Sequence, residues 1–172
     1  MKIDIDKIRS LGMISKSLLN TWADACTILL EHREHQTPVK FEIEGALKHT
    51  TNLNWKSIKN KTGYEDLDEA AEFAGYGMSL LIVTTLNDLV PKSRRAKGDG
   101  VDIVCSKTII DDDNFLNTTV EDYFLECKGS RNKASVKTHL TQGIKQSEKA
   151  PGNVYVISTE FETPSAITHF RK

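Results

Sequence analysis

Residues 101–104, 123–127 and 153–158 are short apolar runs bounded by Gly, Asp, Asn and Pro. They are too short for helices and suit strands buried within a sheet. Strands of that kind need helices to cover them, which narrows the chain to an α/β class. Two amphipathic stretches supply such helices. From Glu65 to about Leu86, Leu67, Ala70, Ala71, Ala74, Met78 and Leu81 share one face. Glu65, Asp66, Asp68 and Glu69 crowd its first turns, where the helix dipole favours acids. Over residues 133–149, Val136, Leu140 and Ile144 form a second apolar stripe, ended by Pro151-Gly152. Gly75 and Gly77 inside the first of these helices cost about 1 kcal/mol each relative to Ala, which points to a close approach by another element.

Ahead of this lies a further helix over residues 14–33, with Ile14, Leu18, Trp22, Cys26 and Leu29 on its apolar face and Thr37-Pro38 as its stop. Val39, Phe41 and Ile43 then alternate with Lys40, Glu42 and Glu44, as in a half-buried strand ending at Gly45. Residues 46–64 are polar and read as irregular, anchored by Trp55.

At 172 residues, with 38% apolar and 27% charged residues, the chain can build one substantial core without staples. Its longest apolar run, near residues 78–83, is far short of the roughly 20 residues that span a bilayer. The N-terminus alternates apolar and charged residues and lacks the apolar stretch of a signal peptide. Cys26, Cys105 and Cys127 form no CxxC pair, which argues against a disulfide framework and a zinc ribbon. The expectation is a reduced, cytoplasmic protein with buried thiols and no membrane association.

The net charge of −1 gives no overall attraction to polyanions, but it is unevenly spread. Residues 92–97 hold Lys92, Arg94, Arg95 and Lys97 with no acid. Residues 128–149 hold Lys128, Arg131, Lys133, Lys137, Lys145 and Lys149 against Glu148 alone. Such local patches are what a nucleic-acid backbone would feel.

Two of the apolar runs each carry one acid. Gly98-Asp99-Gly100-Val101-Asp102-Ile103-Val104 is a glycine-marked turn feeding a strand that contains Asp102. Phe124-Leu125-Glu126-Cys127-Lys128-Gly129 ends a second run in Glu-x-Lys. Alternation puts Glu126 and Lys128 on one face and Leu125 and Cys127 on the other; likewise Asp102 and Val104 lie opposite Val101, Ile103 and Cys105. If the two strands pair, Asp102, Glu126 and Lys128 meet. Two close carboxylates repel, and a hard divalent cation resolves the repulsion. A lysine beside them can orient or deprotonate a water, or offset charge on a phosphoryl transition state.

These segments resemble the PD-(D/E)XK nuclease superfamily, over about residues 65–160. The resemblance implies a restriction-endonuclease-like α-β-β-β-α-β core, with a central mixed sheet flanked by helices, in residues 65–172. Residues 1–64 are then an N-terminal helix and strand extension packed on that core. It implies that Asp102 and Glu126 hold Mg²⁺ or Mn²⁺ together with the Cys127 carbonyl, that Glu72 is the helix acid, and that Lys128 acts on water. The polar residue of the following helix falls on Gln142, with Gln146 as the competing position. Lys92, Arg94, Arg95, Lys97, Arg131, Lys133 and Lys137 would hold the backbone of a nucleic acid, DNA being the expected polymer. The motif departs from the family pattern at Val101, where Pro is usual. The implied activity is a metal-dependent endonuclease in a restriction, defence, repair or toxin setting. The alternative is a catalytically silent module of the same fold that binds nucleic acid or a protein partner. The N-terminal extension is the expected surface for a homodimer or partner.

Overall fold

The computed structural model of the chain describes residues 2–58, 64–96, 99–111 and 114–172. It is an α/β protein built on one eight-stranded mixed sheet, in the order β1-β3-β2-β8-β7-β6-β5-β4. The strands are β1 Lys2–Asp4, β2 Val39–Gly45, β3 His49–Asn54, β4 Val90–Arg94, β5 Ile103–Asp111, β6 Asn114–Ser130, β7 Asn153–Glu160 and β8 Ser165–Arg171. The helices are α1 Lys16–His32, α2 Leu67–Asn87 and α3 Val136–Ser147. Among the described residues no helix is long and apolar enough to cross a membrane.

The helices divide between the two faces of the sheet. Ile103, Cys105, Leu125, Cys127, Tyr155 and Ile157 pack with the apolar residues of α1 and α2 into the larger core. Val154 and Val156 point the other way and pack with Ala150, and with Leu140 and Ile144 of α3. The α2 N-terminus is capped by Asp66, whose side chain accepts the N–H groups of Asp68 and Glu69 at 2.9 and 3.2 Å. The two helix glycines answer to close approaches. A Cβ on Gly75 would stand 2.5 Å from the Gly129 nitrogen in β6, and one on Gly77 would stand 3.1 Å from the Trp22 Cβ. Helix α2 thus crosses β6 almost in backbone contact, just beyond Lys128.

Several expectations need correction. Residues 46–64 are not wholly irregular: β3 lies within them, pairing antiparallel with β2 and parallel with β1. Its Thr51 and Leu53 are buried between exposed or half-buried polar neighbours, so too few apolar residues marked it as a strand. The acid-bearing runs belong to much longer strands, since β5 and β6 continue to Asp111 and from Asn114 as one hairpin. Backbone pairing sustains their polar ends, where no apolar pattern announces it. Val101 precedes β5 and packs with Ala150, Val154 and Val156, not with Ile103, because strand alternation does not extend into the bend before Ile103. Strands β1, β4 and β8 were not anticipated. The three cysteines are free and buried.

Candidate functional site

Strand β5 begins at Ile103, so Asp102 stands one residue before it. The Asp102 N–H donates to the Leu125 carbonyl at 2.7 Å, and its own carbonyl accepts the Arg95 N–H at 2.8 Å. Its carboxylate accepts the Cys127 N–H at 2.8 Å. Where the β5 backbone would next have served β6, the Asp102 side chain does so instead. A residue's N–H and C=O leave a strand on the same edge, so the Cys127 carbonyl also points to the Asp102 side of β6. At this opening lies a cavity of about 360 Å³ lined by Glu72, Tyr76, Arg94, Arg95, Ala96, Gly100, Val101, Asp102, Glu126, Lys128 and Gln146.

Glu126 and Lys128 lie two residues apart on the α3 face of β6, and the Lys128 Nζ sits 2.7 Å from the Glu126 Oε1. Glu126 is only 4% exposed. The cover comes from Gly143 of α3, where an added Cβ would lie 2.7 Å from the Val156 Cγ1, 3.3 Å from the Glu126 Cγ and 3.5 Å from the Lys128 Cε. Without a side chain there, α3 settles directly on the pair.

Burial, and secondly the neighbouring Asp102 carboxylate, push Glu126 up to about 7, against the opposing pull of Lys128. Burial also raises Asp102, offset by its bond from the Cys127 N–H and the charge of Lys128. The two carboxyl groups lie close enough to share a hydrogen bond. They behave as a pair that resists double ionisation.

Helix α2 brings a second pair to the cavity. The Tyr76 hydroxyl donates to the Glu72 Oε1 at 2.9 Å, one helical turn apart. The Arg94 guanidinium lies over the Tyr76 ring, 5.0 Å from its centroid. Burial, then the charges of Asp102 and Glu72, hold the Tyr76 phenol above its usual range.

Asp102, Glu126, Lys128 and Glu72 therefore line one cavity. Gln142 does not: both glutamines are exposed, but it is Gln146 that lines the cavity. At about 100° per residue, Gln146 lies only some 60° round the helix from Gly143, which sits on the pair, whereas Gln142 is about 100° away. Arg94 and Arg95 line the cavity, with Arg95 also paired to Asp99 at 3.4 Å. The other basic positions do not gather there. Lys92 pairs with Asp122 at 2.9 Å and Arg131 with Asp68 at 3.3 Å. Lys133 and Lys137 line a separate cavity of about 620 Å³ between the start of α3 and strands β2 and β8. Lys97 lies outside the described residues. Tyr76 escaped the sequence reading; its signal was its place one turn after Glu72 on the same helix.

The donors at the opening are hard oxygens: two carboxylates and the edge that carries the Cys127 carbonyl. Among the described residues no cluster of three or more His, Cys, Asp or Glu forms a ready-made cage. Mg²⁺ commonly takes one or two carboxylates and keeps several waters, so this set fits it better than it fits a zinc cage. Burial and then the Asp102 charge raise Glu126, and a cation between the carboxylates would offset that charge. No protein-family model, curated protein or solved structure matches this chain.

Proposed function

We propose that the protein is a metal-dependent nuclease of the PD-(D/E)XK type, hydrolysing phosphodiester bonds with DNA as its expected substrate. The observation that carries this reading is the meeting of Asp102, Glu126 and Lys128 at the opened edge of β6, where burial and then the Asp102 charge raise Glu126. Asp102, Glu126 and the Cys127 carbonyl would hold Mg²⁺ or Mn²⁺, with Glu72 assisting from α2. The ion, when bound, supplies positive charge that polarises the phosphodiester and acidifies the attacking water. Lys128 orients that water and offsets the charge growing on the phosphoryl oxygens. Arg94 and Arg95 draw the polyanionic backbone to the cavity mouth, and the Tyr76 ring steadies Arg94. Gln146 takes the polar position of the helix that follows Glu-x-Lys.

One observation favours a silent binding module instead: Lys128 already neutralises Glu126, so the site is partly satisfied without any ion. Two experiments separate the readings. Incubation with plasmid, single-stranded DNA and RNA, in Mg²⁺, Mn²⁺ or EDTA, should give metal-dependent cleavage of one polymer. In a calorimetric titration the protein should bind Mn²⁺, and Asp102→Asn should abolish that binding. A protein that neither cleaves nor binds Mn²⁺ is the silent module.

A further inference from the structure

The sheet ends on β4, and β4 covers only the first part of β5. Their register runs from Val90 opposite Ser106 to Arg94 opposite Ile103. From Lys107 to Asp111 the outer edge of β5 has no strand partner among the described residues. The pairing fixes which backbone groups this edge presents. Pro91 has no N–H, and its carbonyl turns away from β5 to accept the Met13 N–H at 3.5 Å. Val90 is then the residue whose backbone faces β5, and Ser106 faces it. By the two-residue alternation of a strand, Thr108 and Ile110 present their N–H and C=O groups on that same outer edge.

Four of the exposed large apolar residues gather here: Val90 at 54%, Ile109 at 37%, Ile110 at 53% and Val120 at 62%. Val120 lies opposite Thr108 and Val90 opposite Ser106, so Val90, Ile110 and Val120 share one face of the sheet, and Ile109 lies on the other. Proteins usually guard an open edge with charges, Pro or a bulge. Lys107 and Asp111 flank the edge and the β5–β6 register shifts after Ile110, but Thr108-Ile109-Ile110 between them carry no charge and no Pro.

We propose that this edge pairs with the same edge of a second copy of the chain, antiparallel about a two-fold axis at Ile109. The segment is its own complement under reversal. Ile109 faces Ile109 of the second copy, Thr108 faces Ile110, and the basic position Lys107 faces the acidic position Asp111. Thr108 and Ile110 then exchange both of their outward hydrogen bonds, as a closely spaced antiparallel pair requires. A two-fold contact must be self-complementary in this way, whereas an unrelated strand has no reason to be. The pairing joins two eight-stranded sheets into one. It leaves the two Asp102 residues roughly 45 Å apart, at about 3.3 Å per residue, so each site works alone.

Analytical ultracentrifugation of the full chain tests this. The protein should sediment at twice the monomer mass over a wide concentration range. Ile110→Lys puts a charge on the edge, and Thr108→Pro removes one outward N–H while sparing the ladder to β6; both should give monomers with near-native thermal unfolding. Thr50→Lys, which puts the same charge on an exposed residue of β3 near the far end of the sheet, should leave the dimer intact. In the wild-type dimer the Thr108 and Ile110 amides should exchange with solvent more slowly than in the Ile110→Lys monomer. A monomeric wild type would overturn the proposal, and so would a dimer that survives both edge substitutions.

Discussion

Glu126 is nearly sealed from water beside a second carboxylate, and its proton is held more tightly in the folded chain than in the unfolded one. Its carboxyl rises from the ordinary 4.5 to about 7. For a raised acid the folded state binds more protons, so this contribution to stability is fully present below about 4.5. It is lost as the pH rises from there through 7. Glu126→Gln removes the dependence. In EDTA the variant should gain about 2–3 kcal/mol over wild type at pH 8, and little at pH 4, by urea denaturation at the two pH values. Equal gains at both would show that Asp102 and burial do not strain Glu126. The sequence displayed this residue because an acid within an apolar strand run is costly unless something answers it. It did not display Gln146 over Gln142, because the apolar stripe of α3 sets the buried face only to within a residue or so. The missing side chain of Gly143 then decides which polar residue turns toward the pair.

Elements meet here through glycines. A Cβ on Gly129 of β6 would fall 1.6 Å from the Ala71 carbonyl oxygen, and helix backbone has little room to yield. Gly129→Ala should therefore cost about 3 kcal/mol in urea denaturation, by pushing α2 off the sheet. It should also displace Glu72 and Tyr76 from the cavity and weaken Mn²⁺ binding. A stable Gly129→Ala protein with unchanged Mn²⁺ affinity would mean that this crossing does not set the site. The need for a close approach was legible at Gly75 and Gly77, since glycine is a poor choice within a helix. Its partner at Gly129 was not, because a glycine after a strand run reads equally well as a turn. The same difficulty hid β4 and β8. Pro91 offers no N–H to a ladder, which suits the edge strand that β4 is but breaks any strand pattern in the sequence. In β8 the buried Ala166 and Thr168 alternate with half-buried Ser165, Ile167 and His169, so the inward side is no more apolar than the outward one.

At the scale of the molecule, the alternation of helical stripes and apolar runs was enough to place the chain in the α/β class. It was not enough to show that residues from both ends enter one sheet, since β1, β2 and β3 pair onward through β8. Such long-range pairing leaves no local pattern to read. The basic residues divide for a related reason: proximity in sequence does not decide which side of α3 a lysine reaches. Arg94 and Arg95 reach the cavity, and Lys133 and Lys137 reach another. Substitution of Arg94 and Arg95 together by Ala should thus lower nucleic-acid affinity and flatten its salt dependence, while Lys133→Ala with Lys137→Ala should change both much less. Filter binding at several salt concentrations measures the difference, and equal effects would place the polyanion across both cavities. In the proposed nuclease, Lys128 does chemistry in a site where Asp102 and Glu126 bind the ion. The most direct test is the Mn²⁺-dependent cleavage rate of Lys128→Ala against wild type, at pH 8 and saturating Mn²⁺ so that Glu126 is ionised in both. Cleavage should fall roughly 10²–10⁴-fold. Cleavage at the wild-type rate would contradict it.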